Sequence, residues 1–270
     1  MRKKIVSVLP LLTLCLASAP IQTAHAQTVR ADDEWCDESQ GNRDSERYCE
    51  VREFTLDTRA RARVDAKPNG GIRVEGWDRD EILLRARVSA WTRRGDPQSL
   101  VGDIRIETGE TISAHGPRTE DREGWAVSFR LMVPRSTGLD LESMNGGISI
   151  AGVYGDLDFE TLNGGVTLED VGGDVRGRTT NGGVNVQLSG TQWDGSGLDV
   201  QTTNGGVTLE LPGDYRATLQ TGTVNGRFHT DFPITVRGEL RSNRITTELN
   251  GGGPTIRAVT TNGSVHIRTR

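Results

Sequence analysis

The tripeptide Asn-Gly-Gly returns along this chain at Asn145-Gly146-Gly147, Asn163-Gly164-Gly165, Asn181-Gly182-Gly183, Asn204-Gly205-Gly206 and Asn250-Gly251-Gly252. Related copies stand at Asn69-Gly70-Gly71, Asn225-Gly226-Arg227 and Asn262-Gly263-Ser264. From Asn145 the successive intervals are 18, 18, 23 and 21 residues. A turn signal at near-constant period, set each time between short alternating apolar runs, restricts the chain to stacked, equivalent β-units.

Each unit follows one template. With the asparagine as origin, Leu139, Leu157, Val175, Leu198, Leu219 and Ile256 stand six residues before it. Ser143, Thr161, Thr179, Thr202, Thr223 and Thr260 stand two before, and Ile148, Val166, Val184, Val207, Phe228 and Val265 three after. The residues between are polar, among them Asp140, Glu142, Asp158, Glu160, Arg176 and Arg178. Alternation at period two predicts half-buried strands on both sides of each Asn-Gly-Gly.

Such units could pair as antiparallel hairpins, because Asn-Gly is a favoured two-residue hairpin turn. They could equally be coils of a parallel solenoid, with like positions stacked about 4.8 Å apart. The recurrence of threonine at threonine, valine at valine and asparagine at asparagine favours the solenoid, where stacked amides form a ladder. The expected fold is therefore all-β: a right-handed parallel β-solenoid over residues 136–270 with Asn-Gly-Gly corner turns, preceded by a strand-rich cap over 51–135. The glycines are expected to take positive φ at the corners, and the inward threonines to hydrogen-bond along the axis. The Asn250 copy slips register by one residue, since Ile245 and Thr247 fall in the template's gaps. Strand alternation begins at Val51, residues 93–99 and 114–123 read as polar loops, and almost no helix is expected.

The start of the chain has a different character. Arg2, Lys3 and Lys4, an apolar run from Ile5 to Leu16 and the small-x-small site Ala24-His25-Ala26 have the layout of a secretory signal peptide over residues 1–26, cleaved between Ala26 and Gln27. Residues 27–50 form a polar segment without apolar periodicity. In an exported chain the two remaining cysteines, Cys36 and Cys49, are expected to form a disulfide. Removing Arg2, Lys3 and Lys4 from 32 basic residues leaves 29 against 37 acidic ones, a net charge near −8. A mildly acidic chain with no basic stripe is a poor partner for nucleic acid or anionic lipid. No later apolar run is long enough to span a bilayer.

The chain resembles the bacterial "putative adhesin" β-strand-repeat family. The resemblance rests on the export signal, on Asn69-Gly70-Gly71-Ile72-Arg73-Val74-Glu75-Gly76-Trp77-Asp78, on Leu131-Met132-Val133-Pro134 and on the Thr/Ser-x-Asn-Gly-Gly-Val/Ile units from Ser143. It covers most of residues 51–270 and implies an extracytoplasmic β-solenoid linked to adhesion or envelope maintenance. It brings no catalytic or ligand-binding residues with it.

Catalytic motifs are sparse. His115, His229 and His266 have no ligand spacing, and Ser196 lacks a Gly-x-Ser-x-Gly frame. No catalytic, cofactor-binding or metal-binding residue is expected. Stacked acids on one outward face (Asp140, Asp158 and Asp199 beside Glu142 and Glu160) leave open a polysaccharide lyase or hydrolase on a β-helix scaffold. The leading expectation is an exported, periplasmic or cell-surface, non-enzymatic module that binds a protein or glycan of the envelope.

Overall fold

The computed structural model describes residues 27–31, 33–37, 45–119, 122–231 and 245–270. The signal peptide over 1–26, including Ala26 of its cleavage site, lies outside the described residues. Two strands, β1 (Gln27–Arg30) and β2 (Glu46–Asp57), flank the single-turn helix α1 (Glu34–Asp37). Next come β3 (Arg61–Asp65), β4 (Ile72–Trp77), β5 (Glu81–Thr92), α2 (Pro97–Gly102), β6 (Arg105–Thr108), β7 (Thr111–His115) and β8 (Gly124–Pro134). The repeats follow as strand pairs: β9 (Gly138–Ser143) with β10 (Ile148–Ala151), β11 (Tyr154–Asn163) with β12 (Val166–Glu169), and β13 (Gly172–Asn181) with β14 (Val184–Gln187). The last elements are β15 (Gly197–Asn204) with β16 (Val207–Leu211), β17 (Ala217–Asn225) with β18 (Phe228–Thr230), β19 (Ile245–Leu249), and β20 (Thr255–Asn262) with β21 (Val265–Thr269).

These strands make two sheets, of 11 and 10 strands, that close on one apolar core. The first strand of each pair lies in one sheet (sheet B) and the second in the other (sheet A), so each Asn-Gly-Gly copy of the stack sits where the chain crosses between sheets. Pairing between units is parallel and in register: Leu139, Leu157, Val175, Leu198, Ile256 and Leu219 form one buried row. In sheet A, Ile72, Ile148, Val166, Val184, Val207 and Val265 form another. Burial of each such side chain contributes roughly 1.5–3 kcal/mol, so alternation alone accounts for a strong drive to this register.

The crossing has its own physical logic, and it differs from the expectation of positive φ. None of Gly146, Gly164, Gly182 or Gly205 has a left-handed backbone. The constraint is steric: a Cβ on Gly164 would stand 2.1 Å from the Gly146 carbonyl oxygen, and one on Gly182 2.0 Å from that of Gly164. That carbonyl is satisfied from the side. Thr161 Oγ1 donates to Gly146 O at 2.8 Å, Thr179 to Gly164 O at 2.7 Å, Thr202 to Gly182 O at 2.7 Å and Thr260 to Gly205 O at 2.7 Å. The inward threonines thus bond glycine carbonyls of the adjacent coil rather than one another. Outside them runs the asparagine ladder, in which the Nδ2 of Asn145, Asn163, Asn181, Asn204 and Asn262 each donates to the Oδ1 of the preceding asparagine at 2.8–3.1 Å.

Asn225 closes that ladder on Asn262 at 2.7 Å, and Asn69 opens it. The related copies join the ladder, whereas the clean Asn250 copy does not. Asn250 (φ 46°), Gly251 (φ 92°) and Gly252 (φ 80°) form a turn after β19, and Asn250 Nδ2 donates to the carbonyls of Gly213 and Tyr215. Glu248 stands where the template needs a hydroxyl.

Spatial order departs from chain order at both ends of the stack. In sheet A the coils run β8, β4, β10, β12, β14, β16, β21, β18; in sheet B they run β7, β3, β9, β11, β13, β15, β20, β17. The coil of β3 and β4 therefore lies directly against β9 and β10, and the last coil in sequence is inserted before β17 and β18. Antiparallel strands close the ends, β5, β2 and β1 beside β8 and β19 beside β17.

Three local readings change, one of them at Ala114 and His115, which end β7 instead of opening a loop. Strand β2 begins at Glu46, so residues 46–50 are not irregular. Residues 97–99 belong to α2, whose N-terminus is capped by the Asp96 carboxylate accepting from Gln98 N and Ser99 N. Buried Arg52 donates to the carbonyls of Val101 and Ile104 at the other end of that helix. In the N-terminal segment Cys36 and Cys49 are disulfide-bonded, with Cα atoms 5.7 Å apart.

The two glycines of a unit should respond differently to substitution. Gly182→Ala should cost about 2–3 kcal/mol, since a backbone carbonyl cannot yield; Gly183→Ala, whose Cβ meets only Gly206 O at 3.4 Å, should cost under about 1 kcal/mol. Thr179→Val should cost about 1–3 kcal/mol by orphaning the Gly164 carbonyl. Urea midpoints at constant m-value check all three, and equal losses at Gly182 and Gly183 would refute the steric account.

Candidate functional site

The outward face of sheet B carries the densest set of functional side chains. Alternation fixes it: once Leu157, Phe159 and Thr161 point inward, Asp158 and Glu160 must point out. Parallel register then aligns equivalent positions into rows. One row runs Arg63, Asp140, Asp158, Arg176, Asp199, Arg257; its neighbour runs Asp65, Glu142, Glu160, Arg178, Gln201. Adjacent carboxylates at rung spacing would repel by about 1 kcal/mol in water, and the structure interleaves cations among them.

Arg63 Nε stands 3.4 Å from Asp140 and also pairs with Glu110; Arg61 Nη1 donates to Asp158 at 3.2 Å and also pairs with Asp156. Lys67 bridges Glu142 and Asp65, Arg178 donates to Glu160 at 2.6 Å, Arg176 to Asp174 at 2.6 Å, and Arg257 pairs with Asp199. Every carboxylate of the two rows is thereby ion-paired. Exposed pairs contribute little singly, about 0–1 kcal/mol, but here they hold the side chains of a flat lattice in place.

Within the lattice lies a depression of about 350 Å³ lined by Asp140, Glu142, Asp158, Glu160, Arg176 and Arg178. Its floor is made by an unequal pair: Gly177 takes an inward position, and the Phe159 ring of the next coil fills the space, so that a Cβ on Gly177 would stand 1.9 Å from Phe159 Cε2. Farther along the same sheet, toward β17, a wider groove of about 740 Å³ is lined by Arg178, Gln201, Gln220, Arg257 and outward threonines such as Thr203 and Thr261. The exposed Met144 and Leu162 stand one rung apart, in the position before their asparagines.

Electrostatics argue against acid catalysis here. The Arg178 hydrogen bond holds the Glu160 carboxyl below its ordinary range, outweighing its partial burial. A glycoside-cleaving general acid needs the opposite shift. Elsewhere Tyr154 is pushed up to about 12, by burial and then by its hydrogen bond to Asp170; Asp170 is lowered by hydrogen bonds from Ser189 and Tyr154.

Sequence reasoning aligned Asp140, Asp158 and Asp199 and placed Glu142 with Glu160. It missed Arg61, Arg63 and Lys67, which neutralise those rows from a coil 75 to 97 residues away. The only signal pointing there was the Asn69 copy of the repeat. It also missed the pairing of Arg257 with Asp199, 58 residues apart. On the outer face of sheet A, His229 and His266 occupy paired positions and stack with centroids 5.0 Å apart. Among the described residues no three His, Cys, Asp or Glu side chains converge as a metal-binding group. No described helix is long and apolar enough to cross a membrane.

Replacing Arg178 tests the electrostatics of the lattice. A depressed carboxyl contributes stability that is present above the unfolded value near 4.5 and lost as pH falls through the folded value. In Arg178→Gln the Glu160 carboxyl should titrate upward toward 4.5, so the variant lacks this group's contribution to stability at neutral pH and loses correspondingly less stability than the parent as pH falls below 4.5. NMR titration of the Glu160 side chain reads this directly; an unmoved titration would mean that the ion pair is not formed.

The profile of the family described as Toastrack DUF4097 matches residues 101–268, and the chain belongs to that family. Among solved structures, a "putative cell adhesion protein" from Clostridium sporogenes is similar at 11% identity and TM-score 0.41, over 84% of this chain and 100% of that one. A "putative adhesin" from Parabacteroides distasonis is similar at 11% identity and TM-score 0.32, over 81% and 96%. A "putative lipid binding protein" from the same species is similar at 10% identity and TM-score 0.28, over 85% and 98%. No curated protein sequence matches the chain.

Proposed function

We propose that this Toastrack-family chain is an exported, non-enzymatic module of the cell envelope that presents the outer face of sheet B to a protein or glycan. In this reading residues 1–26 are removed between Ala26 and Gln27, and the mature chain works in the periplasm or at the cell surface. Residues 51–135 cap a right-handed solenoid whose Asn-Gly-Gly units turn its corners. The observation that carries the reading is the ion-paired lattice of Asp140, Asp158, Asp199, Glu142 and Glu160 with Arg61, Arg63, Lys67, Arg178 and Arg257. Such a surface is rigid, polar and open. It offers many hydrogen-bonding groups at a fixed repeat, which suits a partner that is itself extended or repetitive. Its acids stand open to solvent, and Arg178 holds Glu160 below its ordinary range where a glycan-cleaving acid needs a raised one.

The deciding experiment is a glycan and cell-wall array probed with the chain from Gln27 onward, with the same wells assayed for released reducing ends. Binding without release is expected. Asp158→Ala combined with Glu160→Ala should weaken that binding at least tenfold while leaving the melting temperature within a few degrees. Release of reducing ends that disappears in this double variant would overturn the reading in favour of a carbohydrate-active enzyme.

A further inference from the structure

The outer face of sheet A differs between its two ends. Near β5 and β8 the guanidiniums of Arg87 and Arg130 lie over the Trp35 ring, 5.2 and 3.9 Å from its centroid, and are taken up by that contact. At the other end, two of the three histidines that follow Gln27 meet. His229 on β18 and His266 on β21 belong to different units of the repeat, yet stand directly opposite one another on neighbouring parallel strands. Their imidazoles stack with centroids 5.0 Å apart and planes 11° from parallel. The same outward row carries Arg73, Ser149, Thr167, Asn185 and Thr208 on the earlier coils and becomes imidazole only on its last two rungs. Val265 and Ile267, on either side of His266, are the residues that fill the core. The histidines therefore do not serve the packing.

Two imidazoles on adjacent rungs have the makings of a chelating pair. Imidazole nitrogen suits zinc, nickel and copper ions, whereas magnesium and calcium take oxygen. Zinc bonds imidazole at about 2.0–2.1 Å, so two nitrogens on one ion stand at most about 4.2 Å apart. Parallel strands hold equivalent residues about 4.8 Å apart, and rings at 5.0 Å need only lean toward each other to share an ion. His229 is exposed and His266 half-buried, and side chains so placed change rotamer readily. The backbone supplies the spacing in advance, so that binding orders side-chain torsions alone. The charges nearby are mixed. Arg268, two residues after His266, is paired with Glu210 at 3.8 Å. Asp231, two residues after His229, and Arg227, two before it, are both exposed, where solvent and salt screen them. Among the described residues no third His, Cys, Asp or Glu completes a group here, so the other positions on the ion fall to water.

We propose that His229 and His266 chelate a divalent transition-metal ion of the zinc, nickel or copper type, and that the bound ion staples the end of the stack. Strand β18 is three residues long and lies at the edge of sheet A, where β21 is its ladder partner among the described residues. One bond from each strand to a shared ion joins β18 to β21 outside the ladder. Opening the end of the stack then requires breaking a metal bond as well, and the protection grows with metal concentration relative to the dissociation constant. The pair lies on the sheet opposite the proposed sheet B surface, so either can fail without the other.

The test is calorimetry on the chain from Gln27 onward, prepared without a polyhistidine tag, with nickel(II) and zinc(II) as probes and magnesium as control. One nickel or zinc ion per chain should bind, and magnesium should not. Asparagine already occupies this row at Asn185, so His229→Asn and His266→Asn keep the fold. Each should weaken nickel binding at least tenfold at unchanged metal-free melting temperature. His115→Asn, on β7 in sheet B, should leave binding unchanged, as should Asp158→Ala with Glu160→Ala. Amide hydrogen exchange at residues 228–230 should slow at least tenfold in saturating nickel for the parent and for neither of the first two variants. No binding by the parent, or equal binding by His229→Asn or His266→Asn, would overturn the proposal; binding that leaves exchange at 228–230 unchanged would overturn the staple.

Discussion

The close approach between the first glycine of each Asn-Gly-Gly unit and the carbonyl of its counterpart one coil away is the constraint on which the rest depends. Where a Cβ would stand about 2 Å from a backbone oxygen, no other residue fits. That approach leaves a carbonyl with no sheet partner in the core, and a buried orphan acceptor is costly. The threonine two residues before the asparagine supplies the missing donor. Glycine, hydroxyl and asparagine are therefore one device, repeated because every coil poses the same packing problem.

That device separates folding from surface chemistry. With register held at the crossing by glycine and threonine and inside by rows of Leu, Val and Ile, the outward positions can carry almost any side chain. They carry different sets on the two sheets: an ion-paired lattice on B and arginines stacked on an indole on A. Neither face is an enclosed cleft, since flat sheets joined by tight crossings give little depth beyond what a missing side chain opens. Gly177 under Phe159 is one such place.

Much of this was legible in the chain. The period, the alternation and the composition of inward and outward rows follow from residues 138–209 alone, because neighbours in sequence there are neighbours in space. What was not legible has a common cause: it depends on contacts between distant coils. The interaction of Arg61 with Asp158, the last coil inserted beside Asn204, and the arginines of β5 and β8 converging on Trp35 carry no local signature. The φ of the corner glycines was misjudged because positive φ and close backbone approach select the same residue. Asn250 shows the converse, an intact tripeptide that lacks the hydroxyl two residues before it and turns a different way.

The displaced last coil bears on the order in which the molecule can assemble. Among the described residues strand β18 has β21 as its only ladder partner, and β17 reaches the body of the stack through β20. A chain emerging N-terminus first from a ribosome or a translocation channel presents residues 217–230 before 255–269. Among the described residues the native ladder partners of the earlier segment all lie in later ones, β19, β20 and β21. Assembly can proceed coil by coil as far as β16 and must then wait, so that the final two coils close together in a single late event rather than by stepwise growth.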